Sequence, residues 1–344
     1  MVTLKKHLTL AQASTPSSGR IHFCPNGHRA QTIVRTDFTD EKKKAIRSLH
    51  SLNKHWNIII LLPFGLWIGA GFLALQTDNI FVNLLCYVSA GLGLSTLSVI
   101  VHESTHNLFT HNPKIDRWIG FFCSLPLLLC SQAYRIRHPI HHKHVRSEND
   151  PDDIENLSSS ARVLKALYWV MFFFGAYLFL FDVPLEGIKR TAGRRRIVIL
   201  LECGFTLAVH LTAWMLIPAS VIAEAWLLPM LVAVQIGNVR GLAEHGITSK
   251  ENEFIDTRTV TTSAIASFLM CNVNYHLEHH LYPGVPWYNL PKLHRLFDDS
   301  YRKAGASVYR SYVSLLIDML KVFTSAPQTK GRLIPAHLRR EICL

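Results

Sequence analysis

Charge is scarce in this chain. Charged residues make up 17% of its 344 positions, against about 25% in a soluble domain. Residues 57–101 hold one, Asp78, in 45 positions. A soluble enzyme or a disordered chain fits that distribution poorly. Paired cysteines are lacking too. The seven are Cys24, Cys86, Cys123, Cys130, Cys203, Cys271 and Cys343, with no Cys-x-x-Cys among them and most in apolar runs. A secreted disulfide scaffold is therefore a poor reading, and free buried thiols are the expectation. Cys343 is second from the end and makes no prenylation box. No apolar core follows Lys5 and Lys6, so no signal peptide is expected. Repeats, low-complexity stretches and nucleic-acid-binding signatures are missing as well, so no nucleic-acid partner is expected. What is present is apolar: 49% hydrophobic residues with a net charge of +12. That combination points to a helical membrane protein, with its positive charge meeting anionic lipid headgroups.

Residues 57–76 and 80–101 are each long enough to span a bilayer and are joined by a short polar turn at 76–79. Residues 197–218 and 220–240 form a second hairpin that turns near Pro218. Residues 118–133 are short and contain Pro126, which suits a re-entrant or interfacial piece. Residues 166–181 could span by hydropathy, but Lys189, Arg190, Arg194, Arg195 and Arg196 follow them, and such clusters stay cytoplasmic. They are therefore expected to lie in the interface. Residues 1–56 carry ten Lys/Arg against three acids, and residues from 292 onward ten against four. The predicted architecture is all-α: four spans in two hairpins, a cytoplasmic helical cap, and both termini cytoplasmic. The expected division is a basic segment 1–56, a membrane domain 57–297 and a basic tail 298–344.

Histidine is the unusual abundance, with 19 in all and seven between His102 and His144. Three clusters stand out: His102-Glu-Ser-Thr-His106 after the second span, His138-Pro-Ile-His141-His142, and His276-Leu-Glu-His279-His280. On a helix, positions i, i+3 and i+4 share one face, so each cluster can present imidazoles together. Eight imidazoles exceed one metal's needs, so two metals are the natural count. Imidazole suits iron, zinc, copper or nickel, while structural zinc would favour cysteine-containing closed sites. A pair of irons at a membrane surface can activate O₂ against an unreactive lipid C–H bond.

The three clusters resemble the HxxxH, HxxHH and HxxHH boxes of the membrane fatty-acid desaturases. Their neighbours are similar too: Asn149-Asp150-Pro151-Asp152, Asn274-Tyr275 and Leu281-Tyr282-Pro283. The resemblance covers roughly residues 57–297. It implies a non-haem diiron centre, O₂ as co-substrate, a lipid or fatty-acyl substrate that gains a C=C bond, and a separate ferredoxin or cytochrome b5 type electron donor. It also implies a ninth ligand after the fourth span, His245 in Ala243-Glu244-His245. Some relatives place a water-holding asparagine four residues earlier, where this chain has Gly241. His276, and the absence of a His-Pro-Gly-Gly haem motif, argue against the front-end branch. Related hydroxylases and ketolases carry similar boxes, so lipid or carotenoid hydroxylation or ketolation is the alternative.

Other residues carry weaker expectations. Glu103 and Glu278 are expected to hydrogen-bond to ligand histidines. Asp150, Asp152 and Asp153 either orient histidines, pair with arginines or are solvated. His144 is expected beside the site or at the surface, His111 in a loop, and His210 as a hydrogen-bonded neutral ring in the third span. Glu202 and Glu224 are expected to pair inside the bundle or lie at the interface. His294 has no argued role, and Cys24 with His28 is too few ligands for a zinc site. His102-Glu103-Ser-Thr-His106 is also literally H-E-x-x-H, the zinc-protease pattern. That reading, like a metal transporter with ligands near the bilayer midplane, leaves the other boxes unexplained.

Overall fold

A computed structural model of the protein describes residues 38–248 and 253–324. The segment holding Cys24 and His28 and the last twenty residues lie outside the described residues. The described residues are mainly helical, with one small two-stranded sheet among them.

Helix α1, Asp40–Ser48, opens the described chain. A 3-10 turn then leads into α2, Leu61–Ala74. Asn79 caps α3, Ile80–Thr105, by accepting from Phe81 N and Val82 N. This is the central helix. A Cβ at Gly91 would lie 2.6 Å from Val232 Cβ, and one at Gly93 2.6 Å from Pro63 O. The bare backbone therefore lets one neighbour close in on each side, as small residues do in membrane bundles.

Helices α4, Pro113–Ser124, and α5, Ser131–His144, form a bent pair. The 107° break between them includes Leu128 at φ 58°. This break accounts for the short apolar run 118–133. Cys130 offers α5 no side-chain cap. Glu202 supplies one from α7, Gly193–Leu216, accepting from Ser131 N at 2.6 Å, Ser131 Oγ at 2.8 Å and Gln132 N at 3.1 Å. The buried intramembrane acid thus satisfies helix-terminal N–H groups that would otherwise lack partners.

Helix α6, Ala161–Arg190, precedes α7. A short helix α8, Ala219–Ile222, and a π-turn Ala223–Leu227 lead into α9, Leu228–His245. Among the described residues, five helices are long and apolar enough to cross a membrane, or six if the bent pair is one span. They are Lys54–Ala74, Ile80–Thr105, Ala161–Arg190, Gly193–Leu216 and Ala219–His245. The fourfold expectation differs by Ala161–Arg190: the run 166–181 belongs to a continuous 30-residue helix.

Beyond the bundle come β1, Arg258–Val260, α10, Ala264–Leu269, α11, His276–Leu281, α12, Leu290–Ala304, β2, Ser307–Tyr309, and α13, Tyr312–Thr324. The two strands pair in parallel, with Thr259 opposite Val308. The sequence boundary at 297 falls inside α12, an amphipathic helix whose inner face, Leu293, Phe297 and Tyr301, packs with Leu277 and Leu281 of α11. Helix α13 packs through Leu315, Met319 and Phe323 onto Tyr168, Leu242 and Ile247.

Candidate metal centre

Four elements end or sit at one place. The last turn of α3 carries His102, with His106 at its C-cap; α5 carries His138, His141 and His142. His245 is the last residue of α9, and α11 carries His276, His279 and His280. The third cluster is fixed from outside: Asn274 Nδ2 donates to Val260 O at 2.9 Å, and Thr259 bridges Tyr275.

The nine rings fall into two groups, each with ligand atoms within 4.8 Å of one another. The first comprises His102, His106, His138, His142 and His279; the second comprises His141, His245, His276 and His280. Within the first, Nε2 of His138 lies 2.9 Å from those of His106 and His142, and Nε2 of His279 lies 3.1 Å from that of His142. Within the second, His276 Nε2 lies 2.8 Å from His245 Nε2 and 3.0 Å from His280 Nε2; His141 and His245 are 3.2 Å apart. Two nitrogens at right angles on a metal about 2.1 Å away would be about 3 Å apart. The spacing therefore suits convergence on a metal in each group. The rings of His142 and His280 stack at 4.2 Å, so the groups are neighbours.

The two HxxHH clusters are divided in a reciprocal way. Positions i and i+4 of the second, His138 and His142, serve the first group, and its middle His141 serves the second. Positions i and i+4 of the third, His276 and His280, serve the second group, and its middle His279 serves the first. Without His245 the second group would have three rings against five.

The match to a family model decides what this arrangement belongs to. The model for fatty acid desaturases covers residues 78–312. The chain belongs to the fatty acid desaturase family. It is 25% identical over 314 residues to an sn-1 oleoyl-lipid 12-desaturase of Arthrospira platensis, covering 80% of this chain and 88% of that one. It is 28% identical over 296 residues to a sphingolipid delta(4)-desaturase of Drosophila melanogaster, covering 79% and 88%. It is 26% identical over 303 residues to a dihydrorhizobitoxine desaturase of Bradyrhizobium elkanii, covering 81% and 86%. The chain is thus an oxidoreductase of this family.

The far sides of several of these imidazoles are held. Glu103 Oε1 lies 3.0 Å from His102 Nδ1, and Asp150 Oδ1 2.8 Å from His141 Nδ1. Tyr134 OH lies 3.2 Å from His138 Nδ1. Such partners fix each ring and aim its other nitrogen inward. His102 Nε2 is buried with no hydrogen-bond partner, so a donor atom within the first group is left for a ligand. Burial, and then the neighbouring imidazoles, push His276, His279 and His280 well below the ordinary imidazole pKa. These rings are held neutral, the form that ligates metals. Nine imidazoles without a thiol fit two nitrogen-ligated first-row metal ions.

Glu278 departs from expectation. It accepts from Thr259 Oγ1 and pairs with His294 rather than with a ligand histidine. Its place between His276 and His279 turns it to the opposite face of α11, toward β1 and α12. His294 gains a role by this contact, bracing α11 from behind. Asp152 binds Arg137 Nε at 2.7 Å, and Asp153 pairs with Arg146. His144 and His111 join neither group. His210 Nδ1 donates to Thr206 O, 2.8 Å away. Tyr134 escaped the sequence reading, although its place one turn before His138 was the available signal.

A cavity of about 280 Å³ reaches the two groups. Its far end is walled by Leu94, Leu127, Phe179, Met230 and Val234, and its near end by His102, His138, His141, His245 and His276.

Proposed function

We propose that this protein is a lipid desaturase in which His102, His106, His138, His142 and His279 hold one iron and His141, His245, His276 and His280 hold a second. The observation that carries this reading is the apolar cavity opening onto both imidazole groups at once. An acyl chain fills such a cavity, which removes apolar surface from water and sets one methylene pair beside the metals. The iron pair supplies O₂ activation, for the net change –CH₂–CH₂– + O₂ + 2e⁻ + 2H⁺ → –CH=CH– + 2H₂O. Two electrons come from a separate donor of the ferredoxin or cytochrome b5 class. Asp150, Glu103 and Tyr134 keep the rings oriented, and the leucine-lined walls exclude bulk water.

The topology follows from where helices end. We infer four full crossings, with the imidazoles and both termini on the cytoplasmic side. Helices α3 and α9 both finish at the imidazoles, and each closes a hairpin, so α7 starts on the imidazole side. Helix α5 finishes there too, so the intervening α6 begins and ends on one side and lies in the interface. Its contacts support this. Tyr168 OH accepts from Ile247 N at 3.1 Å, and Gly187 abuts Ala133 and Ile199. These partners lie just past the end of α9, at the start of α5 and in the second turn of α7. The Arg194–Arg196 cluster, next to the start of α7, adds the positive-inside argument.

Lipid profiling of cells making wild type or His279→Ala tests the reading. A lipid carrying a new double bond only with wild type is expected. A new hydroxyl or keto group instead would contradict desaturation.

A further inference from the structure

The near end of the cavity is not apolar like the rest. On α9, Asn238 and Arg240 stand on opposite flanks of a strip formed by Gly237 and Gly241, and all four line the cavity. A Cβ built on Gly241 would meet nothing within 4 Å, so the wall there is open. Asn238 is buried, and its amide orientation is fixed: Oδ1 accepts from Ala176 N at 2.6 Å. Its other end must therefore be the NH₂ donor, and Nδ2 is buried with no acceptor. Arg240 Nε pairs with Glu244 Oε1 at 3.2 Å, which largely offsets its charge, while Nη1 is buried without an acceptor. Ser95 and Ser98 of α3, two turns and one turn before His102, line the same end.

A buried donor with no acceptor is costly, so unmatched donors on a cavity wall mark where an acceptor binds. The offset charge on Arg240 favours a neutral oxygen over an anion. Arg240 and Asn238 precede His245 by five and seven residues, about 8 and 10 Å along the helix. Resting on the lipid-desaturase reading above, we propose that Asn238 and Arg240 bind a hydroxyl or carbonyl oxygen of the substrate. The bond oxidised then lies only a few carbon atoms from that oxygen.

Binding to the purified full chain, loaded with redox-inert zinc so that nothing turns over, tests this directly. The probes are octadecan-1-ol and octadecane. The alcohol should bind about tenfold tighter or better, as for one hydrogen bond to a buried or charged donor. Asn238→Asp keeps an oxygen for Ala176 N–H but removes the donor. It should bring the ratio toward unity and leave octadecane binding unchanged. Equal binding of the two probes by wild type overturns the proposal, whether or not the variant folds. So does an undiminished ratio in a folded Asn238→Asp protein. Product analysis of the iron-loaded chain separates the two levels. No double bond in any lipid would remove the desaturase reading itself. A double bond in mid-chain, far from any oxygen, would leave that reading intact and remove this one.

Discussion

His245 and His276 are 31 residues apart in the chain, yet their Nε2 atoms lie 2.8 Å apart. The contact joins the end of α9 to the start of α11, and it gives the second imidazole group its fourth ring. If His245 ligates, His245→Ala should abolish product and lower iron content as His279→Ala does, while the protein still inserts. His111→Ala, altering an exposed loop residue outside both groups, should leave both unchanged. Normal iron content and turnover in His245→Ala would remove it from the centre.

Asp150 Oδ1 sits 2.8 Å from His141 Nδ1 and aims that ring at the second group. Asp150→Asn should weaken metal binding there about 10–100-fold, with the first group's affinity preserved. Titration with a coloured chelator should then show one weak and one tight ion per chain. Two unaltered affinities would mean that the carboxylate does not matter to the ring.

Glu202 caps α5 from across the bundle. Glu202→Ala should lower the stability of the folded protein by about 1–2 kcal/mol, the scale of a lost helix cap. Glu202→Gln, which keeps an acceptor oxygen, should fall in between. Thermal unfolding in detergent measures both, and wild-type stability of the alanine variant would contradict the capping role.

The proposed interfacial placement of α6 predicts that a cysteine introduced at Ala192 is protected from membrane-impermeant thiol reagents in intact cells. It should become reactive after permeabilisation. Strong labelling from outside would make α6 a full span.

The three histidine clusters were plain in the sequence because their spacing is helical and metal chemistry needs several imidazoles close together. Their division into five and four was not. It depends on how α5 and α11 face each other, which local spacing does not encode. His245 stands alone in the chain, and only its place just past the fourth expected span, together with the resemblance, points to it. Hydropathy located α2, α3, α7 and α9, since each buries or exposes a continuous apolar run. It could not separate an interfacial α6 from a span, because both are long and apolar. It passed over α12, whose short amphipathic stripe averages out in a long window. Glu278 was misassigned because its place inside a cluster suggested a ligand partner, whereas the helix turns it toward Thr259 and His294.

Metal analysis of the full chain, purified from iron-supplied cells, is the most direct measurement. Two irons per chain are expected, falling to one or none when His141 and His279 are both changed to alanine. One zinc and no iron per chain would contradict a diiron centre.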